Sequence, residues 1–188
     1  MLRKTFIPLL LALSASISIW FLSQQPESRL TPNAQISRTA DSFMENFTTR
    51  VLNSSGKTEY ELNARHMAHF PHDKHTEFQT PYLTLYQLDG ERWTIASETG
   101  LMENGNERIT LFGKVLMQQH PVEEGTPGIN VHTRDVLILP QESYAETDQH
   151  ALMTQGENNT ESIGLKAYLA EKRILLLSQV RGIYDTRP

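Results

Sequence analysis

Four imidazoles recur every third residue, at His66, His69, His72 and His75, a spacing that invites a chemical reading. Imidazole is the commonest transition-metal ligand and titrates near neutral pH. In a strand, residues three apart fall on opposite faces, and Pro71 prevents a regular helix that would gather them. The row therefore reads as a solvated, pH-sensitive turn and not as a metal site. The carboxylates Glu123, Glu124 and Glu142 lie in loop-like sequence with no partner that spacing identifies. No nucleophile elbow, phosphate loop, zinc-protease helix or dinucleotide fingerprint is present. A pair of acids that meet only in space, as in a glycosidase, is the enzymatic alternative left open. The reading is of a protein that is not an enzyme and needs no cofactor.

The rest of the chain divides by composition. Arg3 and Lys4 precede an apolar run from Phe6 to Leu22, 17 residues long, which just reaches the roughly 17–25 needed to span a bilayer. Residues 1–4 are expected as a cytoplasmic tip, 5–23 as a transmembrane helix and 24–42 as a linker, placing residues 43–188 across the membrane. Cleavage of a signal peptide near Ser14-Ala15-Ser16 is the rival, but the apolar run continues past that point to Leu22. The 188-residue chain has no cysteine, which excludes disulfides and thiolate metal sites. Beyond Lys4 there are 15 basic and 22 acidic residues, a formal charge of −7 that argues against nucleic acid as a partner.

Beyond the linker, period-2 alternation dominates and no segment shows a convincing 3.6 period. Strands are expected at 43–52 and 57–67 around the turn Asn53-Ser54-Ser55-Gly56, then at 77–88 with Pro81 inside, 92–99 and 107–117. Further strands follow at 129–139, 143–147, 151–155, 162–169 and 173–184. In the central strand Ile109, Leu111, Gly113, Val115 and Met117 share one face, with Gly113 marking a bulge or a close approach. A similar pattern returns elsewhere, with Tyr82, Val115, Ala151 and Val180 equivalent at spacings of 33, 36 and 29 residues. The fold class is all-β, built of stacked hairpin-sized units.

Several short patterns occur in order: Gly56-x-x-x-Tyr60-x-Leu62-x-Ala64, Phe78-x-x-Pro81-x-Leu83, Leu111-x-Gly113-x-Val115, Gly164-Leu165-x-Ala167, Leu175-x-Leu177 and Val180-x-Gly182-x-Tyr184. Together with the apolar N-terminus and linker they resemble the LptC family of lipopolysaccharide export. The resemblance implies a single-pass inner-membrane protein with a periplasmic, elongated and twisted β-jelly roll. It further implies that the apolar interior receives lipopolysaccharide acyl chains from the LptB-LptF-LptG extractor and passes them to LptA. Burying one chain of a dozen carbons gains on the order of 10 kcal/mol, so no phosphate-gripping site is required.

On that resemblance the lipid-binding candidates are Leu62, Phe78, Tyr82, Ile109, Leu111, Val115, Val136, Ile138, Ile174, Leu176 and Val180, with Gly113 leaving room for a chain. Open edge strands would template pairing with partners. The N-terminal edge, with Phe43, Phe47 and Val51, would meet the extractor, and the C-terminal edge, with Leu175, Leu177 and Tyr184, would meet LptA. The alternative is an assembly adaptor whose interior is ordinary core, since any β-sandwich needs such an alternating face.

Overall fold

Residues 40–103 and 107–184 are described by the structure, a computed structural model. The expected anchor and the linker up to residue 39 lie outside them. Among the described residues no helix is long and apolar enough to cross a membrane.

Alternation of apolar and polar side chains builds ten strands: β1 (Ser42–Leu52), β2 (Thr58–Phe70), β3 (His75–Gln79), β4 (Tyr82–Tyr86), β5 (Arg92–Glu103), β6 (Arg108–His120), β7 (Ile129–Leu139), β8 (Tyr144–Gln155), β9 (Asn158–Tyr168) and β10 (Arg173–Ile183). They form one antiparallel sheet in the order β1-β2-β3-β5-β6-β7-β8-β9-β10, with β4 pairing both β2 and β5. Consecutive hairpins thus account for nearly the whole topology, and the expected all-β class holds.

β3 and β4 are two halves of one strand, where a single strand with an internal proline was expected. Thr80 adopts φ +48° and Pro81 has no N–H, so the ladder breaks there. The Thr80 amide still donates to the Glu98 carbonyl (2.8 Å), and the Ser97 amide to the Pro81 carbonyl (3.2 Å). Conversely, the two strands expected at 143–147 and 151–155 are one, β8, whose register slips between Thr147 and His150. The sequence between them is polar because the strand bulges there, not because it ends.

Such breaks recur near the middle of the strands. Register slips occur at Ser97/Thr99, Leu111/Lys114, His132/Leu137 and Ser178/Arg181. Left-handed backbone appears at Asn46, Gly113, Asp135, Gly164 and Gln179. The Gly113 amide donates to Asp135 Oδ1 on the next strand at 2.8 Å, tying two of these breaks together. A bulge bends its strand and increases its twist. A row of them running across neighbouring strands folds the sheet over on itself.

That folding explains the core. Ile109 and Leu111 before the bulge of β6, and Val115 and Met117 after it, are all buried in one cluster with Val131, Val136, Ile138, Ala145 and Leu165. With only a three-residue 3-10 turn (Pro140–Glu142) besides strands among the described residues, the sheet itself must supply the cover. The turns at one end seal it. Lys172, after β9, bridges Asp89 (2.6 Å) and Glu91 (3.2 Å) in the β4–β5 turn. Glu91 is itself buried and also accepts from Trp93 Nε1 (3.2 Å) and Gln119 Nε2 (2.8 Å). Charge-assisted bonds of this kind satisfy a carboxylate that would be costly to bury alone.

Candidate functional site

Under the edge strand β1 the core is open. Apolar side chains from four strands, Met44 and Phe47 of β1, Tyr60, Leu62 and Met67 of β2, Phe78 of β3 and Met102 of β5, line a cavity of about 300 Å³. The pairing places them there: Met44 stands opposite Met67, Met67 opposite Phe78, and Phe47 opposite Ala64. Phe47 and Phe78 stack with ring centroids 5.9 Å apart, joining the two rims. Thr48, Thr49 and Thr76 add hydroxyls at the border. The cavity lacks charged side chains, and its flexible methionines can repack around guests of different shape. An arrangement of this kind binds by burial of apolar surface and does no chemistry.

Of the residues expected inside, Leu62, Phe78, Ile109, Leu111, Val115, Val136 and Ile138 are buried in the cluster, and Leu62 and Phe78 reach the cavity. Ile174 and Leu176 of β10 are partly buried against it. Two placements are corrected. Tyr82 is 43 % exposed and Val180 is 51 % exposed. Tyr82 follows the left-handed Thr80-Pro81 break, which shifts the alternation of faces, whereas Val180 lies in the part of β10 beyond Leu176 where both faces of the strand are exposed. Gly113 also sits differently: a Cβ built there comes 2.7 Å from Glu98 Oε2, an exposed carboxylate. The glycine serves the left-handed bulge (φ +79°) and opens no space into the core.

Both edges expected to be free pair on one side alone: β1 with β2, β10 with β9. Phe43 is exposed, while Phe47 and Val51 turn inward onto the core. Leu175, Leu177 and Tyr184 are exposed. Leu177 also packs over Gly164, where a Cβ would come within 2.9 Å of its Cδ1.

The histidine row separates. His66 Nδ1 pairs with Glu45 (2.6 Å), His69 Nδ1 with Thr76 Oγ1 (3.0 Å), and His75 Nε2 with Glu77 (3.2 Å). His75 is buried and stacks on Phe70, so the row is not wholly the solvated turn expected. Among the described residues no three His, Asp or Glu side chains are grouped to hold a metal ion.

Met44, Tyr60, Met67 and Met102 were not anticipated as lining residues. The available signal was the hairpin turn at 53–56, which fixes the β1–β2 register and so brings Met44 onto Met67. On the outer face a second concavity of about 610 Å³ carries Lys114, Arg134, His132 and His150 around Leu116 and Leu152.

No curated protein sequence matches the chain. Among solved structures, the fold is similar to LptH of Pseudomonas aeruginosa, described as the LptA homologous periplasmic component of the lipopolysaccharide transport device. The likeness has a TM-score of 0.55 at 9 % identity, covering 67 % of this chain and 94 % of that one. A family model described as "Lipopolysaccharide-assembly, LptC-related" matches residues 8–185, nearly the whole chain. The chain therefore belongs to the LptC-related family of lipopolysaccharide assembly, and its role lies in lipopolysaccharide transport.

Proposed function

We propose that the chain is a lipid carrier of the periplasm, a β-jelly roll whose apolar interior takes lipopolysaccharide acyl chains from the LptB-LptF-LptG extractor and releases them to LptA. The observation that carries this reading is the uncharged cavity beneath β1, flanked by three methionines and two stacked phenylalanines and continuous with the buried cluster. Its position under one free edge fits a path along which chains enter near β1 and leave near β10, where Ile174 and Leu176 are again only partly covered. Residues 5–23 anchor the carrier in the inner membrane with its N-terminus cytoplasmic. The β1 edge, at Phe43, meets the extractor, and the β10 edge, at Leu175, Leu177 and Tyr184, meets LptA. The work of extraction belongs to the partner, and the carrier itself catalyses nothing.

Phe47→Arg tests the proposal. Phe47 is only half-buried, so the fold tolerates a longer side chain there, but the guanidinium puts a charge at the rim of the cavity. Capture of fluorescently labelled lipopolysaccharide from vesicles is expected to fall at least about tenfold, a loss of roughly 1.4 kcal/mol or more. Unchanged capture by a folded variant would remove the carrier reading and leave the adaptor.

A further inference from the structure

The cavity under β1 holds about 300 Å³, the lower limit for a small-molecule site, so a guest bulkier than one short apolar tail requires a wall to move. Three of its walls are held on both sides: β2, β3 and β5 each lie between paired neighbours in the sheet. β1 pairs with β2 alone, and of its eleven residues none is fully buried and only Phe47 and Val51 are partly so. The apolar cover it provides comes down to Met44, itself 49 % exposed, and Phe47, whose ring stacks on Phe78. Three side-chain pairs fasten the strand to β2: Glu45 with His66 Nδ1 (2.6 Å), Thr48 Oγ1 with Asn63 Oδ1, and Arg50 Nε with Glu61 Oε2. Surface pairs of this kind hold weakly. The far end is tied more firmly. In the turn after β1 the Asn53 amide donates to the Lys57 carbonyl (2.8 Å), and Asn53 Oδ1 accepts from the Ser55 and Lys57 amides (3.0 Å each). The register slips between Val51 and Leu52, just before that turn.

Resting on the carrier reading above, we infer that β1 is a lid, which lifts from β2 at its Ser42 end, swings about the turn at 51–57 and opens the side of the cavity to an incoming acyl chain. Closing returns Phe47 to Phe78 and covers the guest. Opening breaks the ladder of one edge strand and the three side-chain pairs but leaves every other strand paired, so it lies well below global unfolding in free energy. Entry is then limited by the lid and not by diffusion, because the site must change shape before it can be filled.

The chain has no cysteine, so one engineered disulfide tests the lid without competing thiols. Glu45 and His66 stand directly opposite each other near the free end of β1, and neither lines the cavity. Opposed Cβ atoms lie about 4.5–5.5 Å apart, close to a disulfide's span. Full-length chain in lipid nanodiscs is mixed with 11-(dansylamino)undecanoic acid in a stopped-flow fluorimeter, with the signal of empty nanodiscs subtracted. Oxidised Glu45→Cys/His66→Cys is expected to take up the probe at least about tenfold more slowly than the native chain, and reduction to restore the native rate within about twofold. A staple across the opposite edge, Ile163→Cys/Ser178→Cys, is expected to leave the rate unchanged. Hydrogen exchange needs no variant: in the native chain, β1 amides bonded to β2 are expected to exchange at least about tenfold faster than ladder amides of β6 and β7. Equal uptake by the oxidised and reduced forms, a β9–β10 staple that slows uptake as much, or β1 amides as protected as those of β6 and β7 overturns the lid and leaves the carrier reading standing. Absence of uptake by the native chain, whose β1 is unstapled, removes the carrier reading itself.

Discussion

Replacing Gly113 by alanine separates two accounts of the central strand. If the glycine were there to leave space for a guest, alanine would fill that space and binding would fall. The geometry argues otherwise: Gly113 sits at φ +79° in the β6 bulge, with its amide donating to Asp135 Oδ1 at 2.8 Å. An alanine Cβ would approach the outer-face carboxylate of Glu98, whose end can swing away. What remains is backbone strain, about 1–2 kcal/mol for a residue with a Cβ in the left-handed region. The reduced freedom of the unfolded alanine chain offsets part of that, leaving a net loss of about 1 kcal/mol. For a domain of roughly this size, that lowers Tm by about 2–4 °C. Thermal unfolding of Gly113→Ala, followed by circular dichroism, reads the loss. Gly113→Asn should lose less, because asparagine tolerates this backbone. Adding Glu98→Ala should restore little of the stability. Unchanged melting together with weakened acyl-chain binding would refute the reasoning and return Gly113 to the interior.

Other substitutions probe the remaining parts. Leu111, fully buried opposite Val136, is expected to lose about 2–5 kcal/mol on truncation to alanine, measured by urea unfolding. Thr80→Gly should be neutral or raise stability by about 1 kcal/mol, since a β-branched residue at φ +48° is strained; a clear fall in Tm would contradict this. Lys172 holds the Asp89 pKa below its ordinary value, so this pair contributes stability above the unfolded aspartate pKa that is lost as pH falls through the lower folded one. The Lys172 pKa is raised in turn by Asp89 and Glu91, so its contribution disappears only as pH rises through that higher value. Asp89→Asn should therefore flatten a small part of the acid limb of a Tm-against-pH curve. Lys172→Met should lower Tm more than Asp89→Asn, because it strips the cation from buried Glu91.

Alternation carried most of the architecture into view. The strand at 129–139 coincides with β7, and Tyr60, Leu62 and Ala64 do share a buried face. What alternation conceals is the mid-strand break. Some bulges shift the apolar phase, as in β7 between Thr133 and Val136, and a sequence read in strict period 2 misassigns the residues beyond them, whereas the phase survives the β6 bulge, with Leu111 and Val115 both buried. Such a break is why Tyr82 was placed inside, and why polar Asp148-Gln149 was taken for the end of a strand, while Val180 was misplaced because both faces of β10 are exposed beyond Leu176. Gly113 and Gly164 announce their breaks, whereas Asn46, Asp135 and Gln179 do not, because these residues also serve in ordinary strands and loops. The cavity was hidden for a different reason. Met44 and Met67 meet across one hairpin, which its turn signals, but Met102 comes from β5 and reaches them only through the register of the intervening strands, which no local pattern encodes.

The central claim is that acyl chains travel inside the folded sheet. Photocrosslinking in native membranes tests it with p-benzoylphenylalanine at Met67 in the cavity, at Val115 in the buried cluster, and at Phe112, whose ring is 43 % exposed on the outer face. The account predicts lipopolysaccharide adducts at Met67 and Val115 that depend on ATP, and none at Phe112. Adducts at Phe112 equal to those inside, or none at either interior position in a folded protein, would contradict it.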